Sequence, residues 1–232
     1  MNFYIGGYTM FKKLFNNSKY SNLLTTILII AIIAIVGIMI IIGYQLYRKF
    51  YIEKGAEEAV ARFEDSLGNT IADQNATQEQ INGIISDSEL TKSSVNGRTM
   101  YKGFYVIGTI QIPKINLKYP ILEKVTKKSL ETSVAFLYGP GLNKIGNNVI
   151  IGHNYRNGTM FSNVKKLENG NAIYITDTSG RKVKYTVYKI YRTSGDDASY
   201  MTRNTNNKRE ISLSTCTDDS KARTIVWARE AE

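Results

Sequence analysis

The first distinctive hydrophobic pattern is a long apolar run near the N-terminus. No charged residue lies between Lys19 and Arg48, and residues 23–43 are almost wholly apolar. A helix of about 20 apolar residues spans the hydrocarbon core of a bilayer. A secretory signal peptide has a shorter apolar core of roughly 7–15 residues and a small-residue cleavage site after it, and the run shows neither feature. The pattern therefore predicts an N-terminal tail at 1–22 and an uncleaved transmembrane helix at 23–44.

Residues 45–102 show a helical pattern that is less apolar, and they are predicted to form a stalk. Apolar side chains recur at steps of three and four residues, which places them on one stripe of a helix: Ala56, Val60, Phe63, Leu67 and Ile71. Gly68 and Asn69 are expected to end or fray this helix. Thr77 and Gln80 form a capping-box pattern before a second short helix. Two interpretations stay open: a flexible linker with marginal helices, and a packed helical hairpin.

The period of the pattern changes to two from Gly103 onward. Short alternating or apolar runs are separated by turn residues, at 109–112, 148–151, 172–176, 183–188, 211–215 and 224–228. Several short strands with turn signals between them are typical of an antiparallel barrel or sandwich. Residues 103–232 are therefore predicted to form one β domain.

Composition and charge exclude some functions for this domain. The single Cys excludes an internal disulfide and a multi-Cys zinc site, and the single His excludes any site that needs two. The net charge of +10 is concentrated at 103–232, which carries 20 Lys and Arg against 11 Asp and Glu. Such a body attracts anionic partners such as nucleic acid, phospholipid or an anionic cell wall, or is simply a soluble basic surface. Dispersed basic residues behind a membrane anchor argue against nucleic-acid binding.

The single Cys and the single His both lie at the ends of predicted strands. Cys216 follows the run 211–215, His153 follows 148–152, and Arg223 opens the last strand. A thiolate is a nucleophile, an imidazole can donate a proton to a leaving amine, and a guanidinium can stabilise an oxyanion. Together the three would suffice for acyl transfer through a thioester. The other interpretation is a buried structural Cys, a structural His and a surface Arg.

Four segments of the β domain resemble the sortases, which are membrane-anchored cysteine transpeptidases of Gram-positive bacteria. Leu213 to Cys216 is similar to the Leu-x-Thr-Cys signature of that family. Residues 148–154 resemble the strand that carries the histidine, and 223–228 resemble the last strand, headed by the arginine. Residues 108–115 resemble the opening strand. The resemblance covers about 105–230, with His, Cys and Arg in the family's order.

The resemblance implies an all-β fold, the eight-stranded sortase β-barrel with short helices, preceded by the transmembrane helix and a helical stalk. Cys216 would be the nucleophile, His153 the general acid and base, and Arg223 the stabiliser of the oxyanion. The segment 191–210 would recognise the substrate, with Ser214 and Thr215 lining the floor of the binding site.

The reaction implied is cleavage of a C-terminal sorting signal of the Leu-Pro-x-Thr-Gly kind between Thr and Gly. The acyl group would form a thioester on Cys216 and pass to an amine, usually on a peptidoglycan precursor of the lipid II type. The partners would be surface proteins that carry the signal and become anchored to the cell wall. No cofactor is expected.

The sequence contains fewer signals for a metal site and for the membrane topology. Glu123, Glu131 and Glu168 fall in regions where some class A sortases bind calcium, but the motif is not matched, so surface acids and no metal are expected.

The charges that flank the apolar run are nearly balanced, so they do not set the orientation of the membrane helix. Since sorting signals and wall amines lie outside the cell, residues 1–22 are expected in the cytoplasm and the catalytic domain outside, on a single-pass cell-membrane anchor.

Subclass and reaction type leave alternatives open. Residues 153–161 resemble class B sortases, whereas the 63 positions from His153 to Cys216 suit class A or D. No second apolar span follows the domain, which argues against class C. The same three residues would also serve a membrane-tethered cysteine protease that only hydrolyses peptides. The remaining alternative is a non-enzymatic basic module that binds an anionic wall polymer or lipid.

Overall fold

The computed structural model describes residues 18–73, 94–95 and 98–231, with side chains described over 20–68 and 98–231. The chain divides into two compact units, Met1–Arg48 and Lys49–Glu232. In the first unit the described residues belong to helix α1, which runs from Ser18 to Asp73.

The first part of α1 is apolar on all sides. The span Tyr20–Gly68 contains a window of mean hydropathy 3.2 and is long and apolar enough to cross a membrane. The large apolar side chains from Tyr20 to Tyr47 are exposed, with Ile33 at 66% and Ile40 at 67%. A helix that is hydrophobic all round needs an apolar surrounding, so this part of α1 fits a membrane anchor.

The second part of α1 packs on the β domain. Ala56, Ala59, Val60 and Phe63 are buried, and these positions share one helical stripe. Ala59 and Phe63 lie in one apolar cluster with β-domain residues such as Val106, Leu122 and Ala135. The predicted stripe is therefore covered by the sheet, and the described stalk residues from Lys49 onward belong to the compact unit of the β domain.

Two expectations for the stalk have different outcomes. Gly68 and Asn69 do not end the helix, which continues to Asp73. A glycine costs only about 1 kcal/mol inside a helix, so one glycine does not stop a helix of this length. The second short helix, predicted after Thr77 and Gln80, lies outside the described residues.

Within the residues that the structure describes, ten strands and one further helix follow. They are β1 Ser94–Val95, β2 Arg98–Tyr101, β3 Phe104–Ile112, β4 Leu117–Leu122, α2 Lys127–Thr132, β5 Val134–Tyr138, β6 Gly146–Ile151, β7 Ala172–Asp177, β8 Lys182–Ser194, β9 Arg209–Cys216 and β10 Ala222–Glu230. Short 3-10 turns occur at Pro113–Ile115 and Val164–Lys166. Thr126 caps α2 in a reciprocal capping box with Ser129.

Strands β3 to β10 close into a barrel of eight strands. Their order is β3-β4-β5-β6-β9-β10-β8-β7, and β7 pairs with β3 to complete the circuit. The pairs β4–β5 and β6–β9 are parallel, and the other neighbours in the circuit are antiparallel. The predicted eight-stranded barrel is confirmed, while β1 and β2 form a ribbon that extends from β3.

Alternation along the strands separates an interior face from an outer face. On β9, Ile211 and Leu213 point into the central core, as do Val226 and Ala228 on β10. Yet nearly every residue of β6 and β9 is buried, so their outer face is covered as well. That covered outer face carries the candidate site.

Candidate active site

Strand register brings the three predicted catalytic residues into one row. Parallel β6 and β9 pair Ile151 with Ser214, and the amide of Gly152 donates to the carbonyl of Ser214 at 3.2 Å. The same register continued by two residues would place His153 beside Cys216, and the neighbouring Asn154 donates to the carbonyl of Cys216 at 3.0 Å. On the other side, antiparallel β10 pairs Arg223 directly with Cys216.

The row places three reactive groups within a short distance. Neighbouring strands are about 4.8 Å apart, and paired residues project from the same face. Cys216 therefore has Arg223 as its direct neighbour on β10, and His153 follows the end of β6 on its other side. All three side chains are partly exposed, and the thiol of Cys216 is free. A partly exposed thiol between a titratable ring and a permanent cation is suited to nucleophilic chemistry.

The two predicted floor residues have different positions. Ser214 is two residues from Cys216 and therefore lies on the same outer face, 1% exposed, between Ile151 on β6 and Ile225 on β10. Its hydroxyl oxygen has no hydrogen-bond partner within the described chain. Thr215 falls on the opposite face with Ile211 and Leu213, because side chains alternate along a strand. The structure thus brings Ser214, but not Thr215, into line with the nucleophile.

The loop at 195–208, between β8 and β9, covers part of the outer face. Tyr200 of this loop is buried on Val149 and Ile225, and Met201 packs against the same cluster. Beside the loop is a cavity of about 540 Å³, lined among others by Phe136, Asn147 and Met201. The cavity lies toward the opposite end of β6 from His153, at Asn147, whereas the start of the loop at Gly195 lies next to Arg223.

Arg223 is held at the start of that loop. Its Nε donates to the carbonyl of Gly195 at 3.0 Å. In the first turn of the loop, hydrogen bonds from Ser199 and Thr193 lower the pKa of Asp197. Arg223 also pairs with Thr193 in the sheet. The end of β8 therefore positions both Arg223 and the start of the loop.

His153 lies at a position where the backbone is tightly packed. A Cβ atom added at Gly152 would be 2.8 Å from Cγ1 of Val134 and 2.9 Å from Cδ2 of Phe161. Only a glycine allows the strand to pass this close to its neighbours. The amide of Phe161 donates to the carbonyl of His153 at 3.1 Å, and the ring of Tyr155 lies 5.0 Å from the imidazole. These contacts fix the backbone from which the imidazole projects.

The acidic residues weighed as calcium ligands lie elsewhere on the surface, and two of the three are in ion pairs. Arg98 donates to Glu123 at 2.6 Å, and Lys114 lies 3.7 Å from Glu168. Glu131 is exposed on α2. Among the residues with described side chains, no group of three or more His, Cys, Asp or Glu could hold a metal ion.

Sequence patterns gave no indication of four residues that tie this site together. Arg203 and Glu210 form a buried ion pair beneath the 195–208 loop. Asn154 and Asp218 join the chain after His153 to the chain after Cys216. Polar residues in loops carry no periodic signal, and only the strand register places these distant pairs side by side.

Comparisons with known proteins agree on one family. A family model described as "Sortase domain" matches residues 110–231. Sortase A of Bacillus anthracis is 31% identical over 124 residues, which is 52% of this chain and 58% of that protein. The chain thus spans less than two thirds of that relative. Sortase A of Streptococcus agalactiae is 21% identical over 217 residues, 88% of this chain and 83% of that protein.

Solved structures show the same barrel. A Clostridium perfringens Sortase D5 transpeptidase superposes with a TM-score of 0.55 and 25% identity, covering 78% of this chain and 99% of that one. Sortase A from Corynebacterium diphtheriae superposes with a TM-score of 0.52 and 24% identity, covering 82% and 92%. The second likeness establishes the fold alone.

Proposed function

This chain belongs to the sortase family, and on that premise we propose that it is a membrane-anchored cysteine transpeptidase. The observation that supports the proposal most directly is the row across β6, β9 and β10. Cys216 is paired in register with Arg223, and His153 follows the last recorded pair of the neighbouring strands β6 and β9. No other cysteine or histidine occurs in the chain, so the chemistry depends on this pair.

The proposed reaction has two acyl transfers. The thiolate of Cys216 attacks the carbonyl carbon of the scissile peptide bond, and the guanidinium of Arg223 stabilises the oxyanion. The imidazolium of His153 donates its proton to the leaving amine, which leaves a thioester on Cys216. An incoming amine then attacks the thioester, His153 takes its proton, and the sulfur of Cys216 leaves as the thiolate, which restores the starting thiolate and imidazolium. Because the thioester conserves the free energy of the broken peptide bond, the second transfer needs no ATP.

The proposed substrate is a C-terminal sorting signal of the Leu-Pro-x-Thr-Gly kind on a surface protein. We place the extended peptide next to the row of reactive groups, where the 195–208 loop begins beside Arg223. The proposed acceptor is the amine of a peptidoglycan precursor of the lipid II type, which would anchor the surface protein to the cell wall.

Product analysis tests this proposal against its alternatives. The full chain in detergent is incubated with a panel of sorting-signal peptides, with and without a glycine-type amine. We expect the amine adduct to exceed the hydrolysis product when the amine is present, because an acyl transferase partitions its thioester toward the amine. Hydrolysis that is unaffected by the amine would instead support a cysteine protease. No conversion of any peptide in the panel would support a non-enzymatic basic module.

We also propose that the β domain lies outside the cell, with residues 1–22 in the cytoplasm. This orientation follows from the proposed substrates, since the charges flanking α1 are nearly balanced. A single cysteine placed at the exposed position 131 (Glu131→Cys, in a Cys216→Ala background) should react with a membrane-impermeant maleimide in intact cells. Labelling only after the cells are permeabilised would reverse the orientation.

A further inference from the structure

The ladder that joins the histidine strand to the cysteine strand ends before the reactive residues. The recorded pairing of β6 with β9 stops at Ile151 and Ser214, followed by the bond from Gly152 to Ser214. His153 and Cys216 lie beyond that point, where each chain enters a turn. We call residues 154–160 the histidine turn and residues 217–221 the cysteine turn. Some other contact must set the distance between the imidazole and the sulfur.

The side chain of Asn154 supplies that contact. Its Nδ2 donates to the carbonyl of Cys216 at 3.0 Å and to Oδ1 of Asp218 at 2.9 Å. Its Oδ1 accepts from the backbone amide of Arg156 at 3.0 Å. The two donated bonds run from the histidine turn to the end of β9 and to the cysteine turn. The side-chain amide thus continues the hydrogen bonding between the two chains past the last backbone pair of β6 and β9.

Asp218 is oriented for this bond from its other side. Its second carboxylate oxygen accepts from Nζ of Lys165, just after the histidine turn. The hydrogen bonds from Lys165 and then from Asn154 lower the pKa of Asp218, so its carboxylate stays charged at neutral pH. Charge-assisted bonds of this kind are stronger than neutral ones. The ion pair itself is exposed and contributes little to stability, so its effect is on geometry.

A second bond joins the same two turns at their tips. Nη2 of Arg156 donates to Oγ of Ser220 at 3.0 Å. Within the cysteine turn, the amide of Thr217 donates to the carbonyl of Ala222 at 2.8 Å. The Thr217–Ala222 bond fixes the conformation of the cysteine turn, and the Arg156–Ser220 bond attaches the histidine turn to it.

We propose that Asn154 is a positioning residue, which holds His153 against Cys216 through a latch formed with Asp218 and Lys165. The inference rests on the proposed function of the Cys216–His153 pair. Proton transfer needs the imidazole within hydrogen-bond reach of the reacting atoms, and a misplacement of about 1 Å can cost on the order of 100-fold in rate. Asn154 contacts the backbone of Cys216 rather than the sulfur, so it acts through the position of its neighbour.

The test compares Asn154→Ala with the matched control Asn157→Ala in the full chain in detergent. Asn157 is in the same turn and accepts from Thr159 at 3.0 Å and 2.7 Å, so the control loosens the turn without cutting the bonds to Cys216 and Asp218. The first readout is the rate of Cys216 alkylation by iodoacetamide as a function of pH. The second is the split between kcat and KM for a sorting-signal peptide, and a thermal melt monitors folding.

We expect Asn154→Ala to slow alkylation at neutral pH by about 10-fold and to change the shape of its pH profile. We expect kcat to fall by about 10- to 100-fold, with KM within two-fold of wild type and an unchanged melt. Asn157→Ala should stay within about three-fold of wild type in both rates. Asp218→Asn, which keeps an oxygen acceptor for Asn154, should retain more activity than Asp218→Ala.

Two results would overturn the latch. One is an Asn154→Ala variant whose alkylation rate and kcat both stay within two-fold of wild type. The other is an Asn157→Ala variant with an equal loss, which would mean that only the folding of the turn matters. Alkylation needs no sorting signal, so the two proposals can fail separately. If Asn154→Ala alters the alkylation rate but the wild-type protein transfers no peptide, the latch is supported and the transpeptidase is refuted.

Discussion

Replacing Cys216 by alanine is expected to abolish the thioester intermediate and to lower peptide turnover by on the order of a thousand-fold or more. Cys216 carries the only thiol of the chain, and a thiolate is the strongest nucleophile among the three groups of the row. Mass spectrometry of the protein after incubation with a sorting-signal peptide measures the adduct directly. The wild type should gain the acyl mass, and Cys216→Ala should remain unmodified.

The fold should survive this change. Cys216 is partly exposed at the end of β9, so the loss of one sulfur atom leaves no sealed cavity and should cost well under 1 kcal/mol. Cys216→Ser serves as the matched control, since it keeps a hydroxyl of similar size that is a far weaker nucleophile. We expect it to be nearly as inactive as the alanine variant. Transfer by Cys216→Ala at a rate near that of the wild type would show that the reaction does not proceed through this thiol.

Removing the charge of Arg203 is expected to lower the free energy of unfolding by about 3–5 kcal/mol. The side chains of Arg203 and Glu210 are only 10% and 9% exposed, and breaking a buried ion pair leaves one charge uncompensated. The guanidinium also donates to Tyr188 at 2.9 Å and to Asn147 at 3.1 Å, and it stacks 4.5 Å from the ring of Trp227. Arg203→Met would lose all these bonds together.

The same substitution should weaken peptide binding. Arg203 joins the 195–208 loop to β6, β8 and β9, and Asn147 in turn donates to the carbonyls of Tyr200 and Met201 at 2.8 Å. Without the guanidinium the loop loses one of its attachments to the outer face. We therefore expect KM for the sorting-signal peptide to rise more than kcat falls. Chemical denaturation measures the first effect, and steady-state kinetics measure the second.

An exposed ion pair on the same domain provides the control for Arg203. Lys118 and Glu64 are 3.1 Å apart, but their side chains are 41% and 46% exposed. Lys118→Met should therefore cost only about 0–1 kcal/mol. The double variant Arg203→Met with Glu210→Gln should recover part of the loss, because no uncompensated charge is then left buried. An equal loss of unfolding free energy in Arg203→Met and Lys118→Met would contradict the role of Arg203 and Glu210 as a stabilising buried ion pair.

Local sequence determined several features of this protein because they depend on near neighbours in the chain. A continuous apolar run specifies a membrane-length helix, and the stripe through Ala56, Val60 and Phe63 specifies a helix with one face to bury. A period of two from Gly103 onward specifies strands with two different faces. Since the chain contains one Cys and one His, the candidates for thiol chemistry could be named without any structure.

Tertiary structure alone decided which faces meet. The stripe on α1 does not reveal that the barrel covers it, and Ser214 and Thr215 differ only through the face of β9 on which each one lies. Asn154 and Asp218, 64 positions apart, meet because β6 and β9 pair in one particular register. Periodicity is a property of neighbouring residues, whereas the register between distant strands is selected by the packing of the whole core. For that reason the candidate reactive residues could be named from the sequence, and the contacts proposed to position them could not.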